Sequence, residues 1–380
     1  MRIIIAKFSP WTQKIYQKSE HPEYVAIRNI ISQNSQHNFI LVGEGGPRYE
    51  HFGGKGISFY NICSNTKIKY LFSSFLKFEL AFFLRPSVIV AAGATGIISF
   101  GIASILTRAR FIPLLTGEIW YDLSHIPKPL RKVCAFLMKA ILQKAYAVLA
   151  VSESIKKETI YSYGINSNKV FVYKYKISTL FNPDASRDLK LILNPTGPII
   201  LTVARISPEK GIIYLVEAAR IVANNVPNVK FVIKGSSSDD NYEGKIRNLI
   251  YEHNLQQHFI FLGMSPYSEM PKYMSVADVF VLPSISEGVP VVILEALATG
   301  VPVVASRVGG VPDILIHGYN GLLVEPRDPR GLAEAIIRIL SDRELRKQLS
   351  EGSLTSAWFV KENEIENLLS KFMFKKVGFE

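Results

Sequence analysis

Residues 279–305, VFVLPSISEGVPVVILEALATGVPVVA, contain a complete strand, loop, helix and strand pattern. The apolar run Val279–Pro283 predicts a buried strand, and Pro290 predicts the first turn of a helix, where its missing N–H costs nothing. Gly300 is typical of the end of a helix, and Pro302–Ala305 predicts a second buried strand. Two buried strands joined by a helix indicate a parallel sheet, so this stretch predicts an α/β fold.

The alternation of strands and helices continues through both halves of the chain. The first half has predicted strands at Ile3–Phe8, Phe39–Val42, Ile57–Asn61, Val88–Ala92, Phe111–Leu115, Ala147–Val151 and Val170–Tyr173. The second half has them at Ile199–Ala204, Lys230–Ile233, Phe259–Leu262, Val279–Pro283, Pro302–Ala305 and Gly321–Val324. Helical patterns separate most of these strands, so we expect two doubly wound, Rossmann-like α/β domains that face a cleft between them. Ligands of such domains bind at the carboxyl ends of the strands.

Chain length and one polar segment suggest where the domains divide. At about 150 residues for each domain, 380 residues correspond to two or three domains. The segment 182–198 is rich in Pro and Asn and predicts a linker. We therefore expect a first domain at 1–188, a second at 189–355, and a C-terminal helix within 356–380 that packs back on the first. Gly43-Glu44-Gly45-Gly46 and Gly53-Gly54-Lys55-Gly56 are similar to a phosphate-binding loop, but no predicted helix follows them, so they favour flexible loops.

Composition excludes several classes of protein. Hydrophobic residues make up 48% of the chain and charged residues 20%, which excludes a disordered protein. Cys63 and Cys134 cannot form a disulfide framework, and no Cys/His cluster predicts a zinc site. The apolar run in Met1–Lys7 is too short for a signal peptide, so we expect a cytoplasmic protein.

The net charge of +12 is unevenly distributed. Residues 1–190 contain 25 Lys and Arg against 11 Asp and Glu, a balance of +14, whereas residues 191–380 contain 19 against 21, a balance of −2. This asymmetry indicates either an anionic partner of the first domain or a solvated basic surface. The segment Pro86–Thr107 carries no formal charge over 22 residues, but its pattern favours a strand, a glycine turn and a buried helix over a transmembrane span.

Two glutamates of the first quoted stretch are candidates for ligand binding. Glu287 precedes the predicted helix at the carboxyl end of a strand, and Glu295 lies about one turn inside that helix. The N–H groups of Val291 and Val292, at the positive end of the helix, suit a phosphate or another anion. The alternative is that Glu287 caps the helix and Glu295 lies on a solvated face.

A second candidate site follows the first strand of the second half. Arg205 leaves this strand at its carboxyl end, and Lys210 and Gly211 precede the next helix. Two cations at this place can hold a diphosphate, because one of them can grip two oxygen atoms at once. The alternative is an exposed loop with solvated charges.

Three groups of residues in the second half resemble the donor site of glycosyltransferase family 4, whose members are retaining enzymes of the two-domain GT-B fold. These groups are Arg205 with Lys210-Gly211, Glu287 with the run Glu295–Ala305, and Gly309-Gly310. The similarity covers roughly residues 199–325, and the order of the domains fits the whole chain. Such a combination is far more specific than a single glycine pattern.

The resemblance implies a metal-independent transferase that uses a nucleotide-diphosphate sugar as co-substrate and no cofactor. It implies that Arg205 and Lys210 bind the diphosphate, that Glu287 contacts the transferred sugar, and that Glu295 binds the ribose. The other implied donor contacts are Gly235, Met264, Gly288, Val291 and Val292. Of these, Met264 is implied to lie near the base. The implied chemistry is attack by an acceptor hydroxyl on the same face as the departing diphosphate.

The first domain is implied to bind the acceptor, a glycan or a lipid-linked molecule. Glu118 lies near the position where the family often has a histidine or an aspartate, so it is a candidate catalytic residue. Leu130–Lys144 predicts a basic amphipathic helix, and Tyr70–Phe83 is rich in aromatic residues. With the charge of the first domain, these stretches favour peripheral contact with an anionic membrane. The alternative is that both apolar faces belong to the core. No recognised basic-aromatic module predicts a nucleic-acid partner.

Two other functions remain open from the sequence. The first is a sugar-nucleotide epimerase of the GT-B fold, which would need acid and base residues from both domains. The second is a non-catalytic relative that binds a sugar nucleotide. Release of nucleotide in the presence of an acceptor separates transfer from binding, and the configuration of the product sugar separates transfer from epimerisation.

Overall fold

The structure is a computed structural model of the chain. It describes residues 1–6, 22–44, 50–54, 57–62, 77–117, 128–174, 177–183, 188–194, 196–237, 240–356 and 364–374. The chain divides into two compact units, the first formed by Met1–Tyr175 with Glu362–Glu380 and the second by Lys176–Lys361.

The first unit is built on an eight-stranded sheet in the order β3-β4-β2-β1-β5-β6-β7-β8. Its strands are β1 (Arg2–Ala6), β2 (Asn38–Glu44), β3 (Glu50–Gly54), β4 (Ile57–Ile62), β5 (Val88–Ala92), β6 (Arg110–Leu115), β7 (Val148–Ala150) and β8 (Val170–Val172). All neighbouring strands are parallel except β3 and β4, which are antiparallel. The prediction of flexible loops is wrong for Gly43-Glu44, which belong to β2, and for Gly53-Gly54, which belong to β3 at the edge of the sheet. The other residues of these two predicted loops, 45–46 and 55–56, lie outside the described residues.

Helices connect most strands of the first unit. They are α1 (Pro22–Gln33), α2 (residues 77–84), α3 (Ala94–Thr107), α4 (Lys128–Lys144) and α5 (Glu153–Tyr163). Strand β5 and helix α3 form from the uncharged segment as predicted, and every residue of β5 is buried. Among the residues that the structure describes, no helix is both long enough and apolar enough to cross a bilayer.

The second unit is built on a six-stranded parallel sheet in the order β11-β10-β9-β12-β13-β14. Its strands are β9 (Ile199–Val203), β10 (Lys230–Lys234), β11 (Phe259–Leu262), β12 (Val279–Leu282), β13 (Val303–Ser306) and β14 (Gly321–Val324). The chain adds β10 and β11 on one side of β9 and the later strands on the other. The loops after β9 and β12 therefore lie side by side, which is where parallel sheets bind ligands.

Helices of the second unit pack on two hydrophobic clusters. They are α6 (Asp188–Leu193), α7 (Ile212–Asn225), α8 (Asp240–Glu252), α9 (Met270–Ser275), α10 (Val291–Ala298), α11 (Val311–Ile314), α12 (Pro329–Ser341) and α13 (Arg343–Ser356). Alternate residues of β9 belong to different clusters: Ile200 packs with α7 and α12, and Leu201 packs with α10. This alternation follows from the two-residue period of a strand covered on both faces.

The segment predicted as a linker is part of the second unit. Helix α6 lies within residues 182–198, and its Leu189 and Leu193 pack on the same cluster as Leu201. Phe181, which is 4% exposed, belongs to that cluster as well. The division at Tyr175 therefore precedes the boundary that we expected at residue 188, because the apolar side chains of this segment are buried in the second unit.

The last described helix, α14 (Glu364–Phe374), belongs to the first unit. The carboxylate of Glu366 accepts hydrogen bonds from Asn29 and Gln33 of α1, each at 3.1 Å. The ring of Phe372 lies 4.7 Å from that of Phe171 in β8. The chain thus crosses from the first unit to the second and returns.

Candidate active site

The loops at the carboxyl edge of the second sheet are drawn together by backbone contacts. Gly211 has a φ of 63°, and a Cβ there would lie 2.0 Å from the carbonyl oxygen of Pro283. The N–H of Ile285 donates to the carbonyl of Glu209 at 2.8 Å. Only glycine permits the close approach at residue 211, so the loop after β9 rests directly on the end of β12.

The loop after β13 approaches the same place. Gly309 has a φ of 50°, and a Cβ on it would lie 1.8 Å from the carbonyl oxygen of Glu287. The N–H of Gly310 donates to the carbonyl of Gly288 at 2.7 Å. On the other side, Gly235 follows β10 and donates its N–H to Leu262 at 3.0 Å. Five glycines named from the sequence thus lie at one edge of the sheet: Gly211, Gly235, Gly288, Gly309 and Gly310.

Lys210 and Glu287 form a nearly buried ion pair at this edge. Their Nζ and Oε1 atoms are 2.7 Å apart, and their side chains are 19% and 7% exposed. The hydroxyl of Ser284 donates to the same Oε1 at 2.7 Å. Because both described bonds end on Oε1, the second carboxylate oxygen of Glu287 keeps its capacity to accept hydrogen bonds from a ligand. The alternative that Glu287 caps the helix is wrong, because Pro290 is the N-cap residue of α10 and no described side chain caps this helix.

Arg205 lies at the same edge but is much more exposed. Its side chain is 70% exposed, and its Nη2 is 3.0 Å from Oε1 of Glu209. An exposed i,i+4 pair of this kind contributes little to stability, so Arg205 can exchange this partner for a stronger anion at small cost. Both predicted cations therefore lie at this edge. A buried carboxylate holds Lys210, and a partly exposed carboxylate holds Arg205.

Glu295 is buried inside α10 and is not on a solvated face. It is 3% exposed, and the hydroxyl of Tyr267 donates to its Oε1 at 2.7 Å. Burial raises the pKa of Glu295 to about 7, and the hydrogen bond from Tyr267 works in the opposite direction. The sequence alternative of a solvated Glu295 is wrong, because α10 is apolar on nearly all sides and is packed within the core.

Helix α10 begins next to these carboxylates. Pro290 is its N-cap residue and has extended backbone angles. Val291 and Val292 occupy the first turn and are partly exposed. The first N–H groups of a helix have no intrahelical acceptor and carry a partial positive charge, so this end suits an anion.

The loop from Gly263 to Tyr267, which we call the 263–267 loop, follows β11. Met264 in its middle is 81% exposed. Lys234, the last residue of β10, is only 3% exposed, and its Nζ donates to the carbonyl of Gly263 at 2.6 Å and to the hydroxyl of Ser265.

Three polar residues of this edge were not identified from the sequence. Ser284 lies three residues before Glu287 in a run of turn residues, which gives no separate signal. Tyr267 is 28 residues from Glu295, and only the tertiary structure joins them. Lys234 could have been identified from the sequence, because it is a charged residue directly after the apolar run Phe231–Ile233.

In the first unit, Glu118 lies outside the described residues, as do residues 70–76 of the aromatic-rich stretch. Helix α4 buries one face and exposes another. Its buried apolar residues are Met138, Ile141 and Leu142. Its exposed residues include Leu130, Lys132, Val133, Phe136 and Lys139. The apolar character of α4 is thus only partly explained by the core. Within the described part of the chain, no group of three or more His, Cys, Asp or Glu is arranged to hold a metal ion.

Two doubly wound α/β units of this kind, with ionisable side chains at the switch point of the second sheet, are the architecture of the GT-B fold. Residues 187–354 match the family described as glycosyl transferases group 1. This match covers less than half of the chain and lies within the second unit.

Similarity to individual proteins agrees with this classification. Over 215 residues the chain is 32% identical to an uncharacterized glycosyltransferase of Methanocaldococcus jannaschii, and the aligned part is 54% of this chain and 59% of that protein. The chain spans a little over half the length of the curated relatives it matches.

Solved structures extend the likeness to the whole chain. Sucrose-phosphate synthase of Thermosynechococcus elongatus has a TM-score of 0.78 at 20% identity, with 98% of each chain covered. The Anabaena protein HepE, solved in complex with UDP-glucose, has a TM-score of 0.73 at 18% identity, with 97% of this chain and 100% of that chain covered. At these identities the likeness shows the GT-B fold alone.

Proposed function

We propose that the chain transfers a sugar from a nucleoside-diphosphate sugar to an acceptor hydroxyl, with retention of the configuration at the anomeric carbon. The observation that carries the proposal is the nearly buried Lys210–Glu287 pair at the switch point of the second sheet. It joins a cation suited to phosphate and a carboxylate suited to sugar hydroxyls in one cluster. The UDP-glucose held by the Anabaena protein supports the same class of donor.

The proposed roles follow from charge and position. Lys210 and Arg205 neutralise the diphosphate, and the N–H groups of Val291 and Val292 add the positive end of a helix. The bond between the anomeric carbon and the leaving phosphate oxygen breaks while the acceptor oxygen forms its bond to that carbon on the same face. The acceptor proton passes to an oxygen of the leaving diphosphate. Because charge develops on this diphosphate, fixed cations stabilise the transition state more than the bound donor.

The two carboxylates have different roles in this proposal. Glu287 accepts hydrogen bonds from the hydroxyls of the transferred sugar, and Glu295 accepts them from the ribose. Donor contacts of Gly235, Met264 and Gly288 are backbone or apolar contacts around these groups. Glu118 is the candidate of the first unit for positioning the acceptor.

Transfer and donor binding, measured separately, test the proposal. Lys210→Met is expected to lower kcat by about 10²–10³-fold, because it removes one charge partner of the leaving group. Lys347→Met, in the exposed part of α13, is the matched control and is expected to leave transfer unchanged. Full activity of Lys210→Met would contradict the phosphate role. Nucleotide binding without transfer to any acceptor would favour the non-catalytic alternative. A changed configuration of the sugar without transfer to an acceptor would favour the epimerase alternative.

The division between the carboxylates has its own measurement. Glu295→Gln is expected to raise the Kd of the donor, whereas Glu287→Gln is expected to lower kcat more than donor affinity, because its contacts tighten as the sugar bond breaks. Glu118→Gln is expected to lower kcat and leave the donor Kd unchanged. Equal effects of Glu287→Gln and Glu295→Gln on affinity and turnover would contradict the assignment.

We propose further that the acceptor is at a membrane surface and that α4 contacts anionic lipid. Phe136 and Val133 are 71% and 54% exposed, beside the exposed Lys132 and Lys139. Apolar side chains next to basic ones on one helix suit an anionic lipid surface, to which each lysine adds about 1 kcal/mol.

Flotation with anionic and neutral liposomes at low and high salt tests the membrane proposal. Phe136→Ser is expected to reduce recovery with anionic liposomes. Tyr161→Ser, at an aromatic residue of α5 that is 93% exposed, is the matched control. Equal recovery with both lipids, or none with either, would leave a soluble acceptor as the better explanation.

A further inference from the structure

The 263–267 loop is held at both ends by buried ionisable groups. At its start, Lys234 donates to the carbonyl of Gly263 at 2.6 Å and to the hydroxyl of Ser265. At its end, Tyr267 donates to the buried carboxylate of Glu295 at 2.7 Å. Polar groups that are bonded in a buried environment fix one conformation more firmly than exposed ones. The loop is therefore pre-organised, although it carries no regular secondary structure before Tyr267.

Lys234 is an unusual residue at this place. It is 3% exposed, and its Nζ lies 4.6 Å from the centre of the Tyr273 ring. The ion pairs found among the described residues do not include Lys234. Its charge is met by a carbonyl, a hydroxyl and an aromatic face. A buried cation that is balanced by dipoles alone creates a positive potential in its surroundings.

The side chain of Met264, the second residue of the loop, indicates which kind of ligand the loop can contact. Met264 is 81% exposed between the two fixed ends. A thioether side chain adapts its shape and packs well against aromatic rings. A loop with rigid ends, a flexible apolar side chain and a positive potential suits a flat, polar heterocycle.

We infer that Lys234 sets the nucleobase preference of the donor site by fixing the 263–267 loop, and that the loop favours a base with a carbonyl oxygen, in place of an exocyclic amino group, at position 4 of a pyrimidine or position 6 of a purine. The inference rests on the proposed function, which supplies the nucleoside diphosphate. Lys234 engages the carbonyl of Gly263, so this acceptor is less able to take a hydrogen bond from an exocyclic amino group. The positive potential attracts a carbonyl oxygen and disfavours an amino group. Uracil, thymine and guanine are thus preferred over adenine and cytosine, and Lys234 is a positioning residue that acts through the loop.

Calorimetric titration of the full chain with UDP, GDP, ADP, CDP and inorganic pyrophosphate tests the inference. The unmodified chain is expected to bind UDP or GDP at least about tenfold more tightly than ADP and CDP. Lys234→Met keeps the length of the side chain and removes its charge and donors. It is expected to reduce that preference to less than about threefold, with little change in pyrophosphate binding. Lys230→Met, at the other end of β10, is the matched control and is expected to keep the preference.

Each result separates this inference from the proposed function. An unchanged base preference in folded Lys234→Met would overturn the role of Lys234. If Lys234→Met weakened the binding of all ligands equally, pyrophosphate included, Lys234 would have only a structural role. This result would also overturn the inference. If the unmodified chain bound pyrophosphate and every nucleotide with equal affinity, the proposed phosphate site would be supported and the proposed base preference would be contradicted. If it bound none of them, the proposed function would fall as well. Should Lys234→Met not fold, Ser265→Ala removes one anchor of the loop, and an unchanged preference in that variant overturns the inference.

Discussion

Replacement of Glu295 by Gln is expected to stabilise the protein above pH 7 while it weakens donor binding. Burial raises the pKa of Glu295 from its ordinary value of 4.5 to about 7, and the bond from Tyr267 offsets only part of this rise. The ionised carboxylate is therefore less favourable in the folded protein than in the unfolded chain. The contribution of Glu295 to the free energy of unfolding is highest below pH 4.5, falls as the pH rises to about 7, and stays low above it. At about 1.4 kcal/mol for each tenfold change in proton affinity, the loss at pH 8 is about 3 kcal/mol.

Urea unfolding followed by far-UV circular dichroism measures this effect. Glutamine fills the same space and can accept from Tyr267, so Glu295→Gln is expected to gain up to about 3 kcal/mol at pH 8 and almost nothing at pH 4.5. Glu351→Gln, an exposed glutamate of α13, is the control and should change stability by less than about 0.5 kcal/mol at any pH. A gain that does not depend on pH, or a less stable Gln variant at pH 8, would refute the burial argument.

The remaining predictions concern the loops, the base of the sheet and metal. Gly309→Ala is expected to lower the melting temperature and transfer together, because its Cβ would lie 1.8 Å from the carbonyl oxygen of Glu287; a calorimetric scan and a turnover assay that both match the unmodified chain would contradict this. Asp278→Asn is expected to cost about 1–3 kcal/mol in urea unfolding, because the buried carboxylate loses its ion pairs with Lys190 at 2.9 Å and Arg346 at 3.1 Å. Chelation with EDTA is expected to leave transfer intact, since arginine, lysine and a helix end supply the positive charge; activity lost in EDTA and restored by a divalent metal would show otherwise.

The sheets were predictable because their strands are continuous apolar runs bounded by Gly, Pro or charged residues. All thirteen predicted strands are present, within one or two residues at most ends where the structure describes them. The strand that the sequence did not predict, Glu50–Gly54, has neither alternation nor an apolar run. It forms by pairing with β4 at the edge of the sheet. Helix α6 was missed because its segment has the composition of a linker, although Leu189 and Leu193 pack on the core of the second unit.

The candidate site was predictable where charge and strand ends coincide. Lys210 and Glu287 are 77 residues apart, yet each follows a strand of a parallel sheet, and such ends meet when the strands are neighbours. The burial of Glu295 was harder to predict from the sequence. A single carboxylate in an otherwise apolar helix does not indicate whether its side of the helix faces the core or the solvent. Its partner Tyr267 comes from another element, and no local pattern connects two such residues.

The return of the chain to the first unit has a consequence for synthesis. Because Lys176–Lys361 is inserted between the parts of the first unit, a ribosome finishes the second unit while the first still lacks α14. The bonds of Glu366 to Asn29 and Gln33 can form only when α14 emerges. We therefore expect the second unit to be complete before the first unit, whose translation began earlier. A premature stop codon between Lys361 and Glu364 would remove α14, and it would damage the first unit and spare the second.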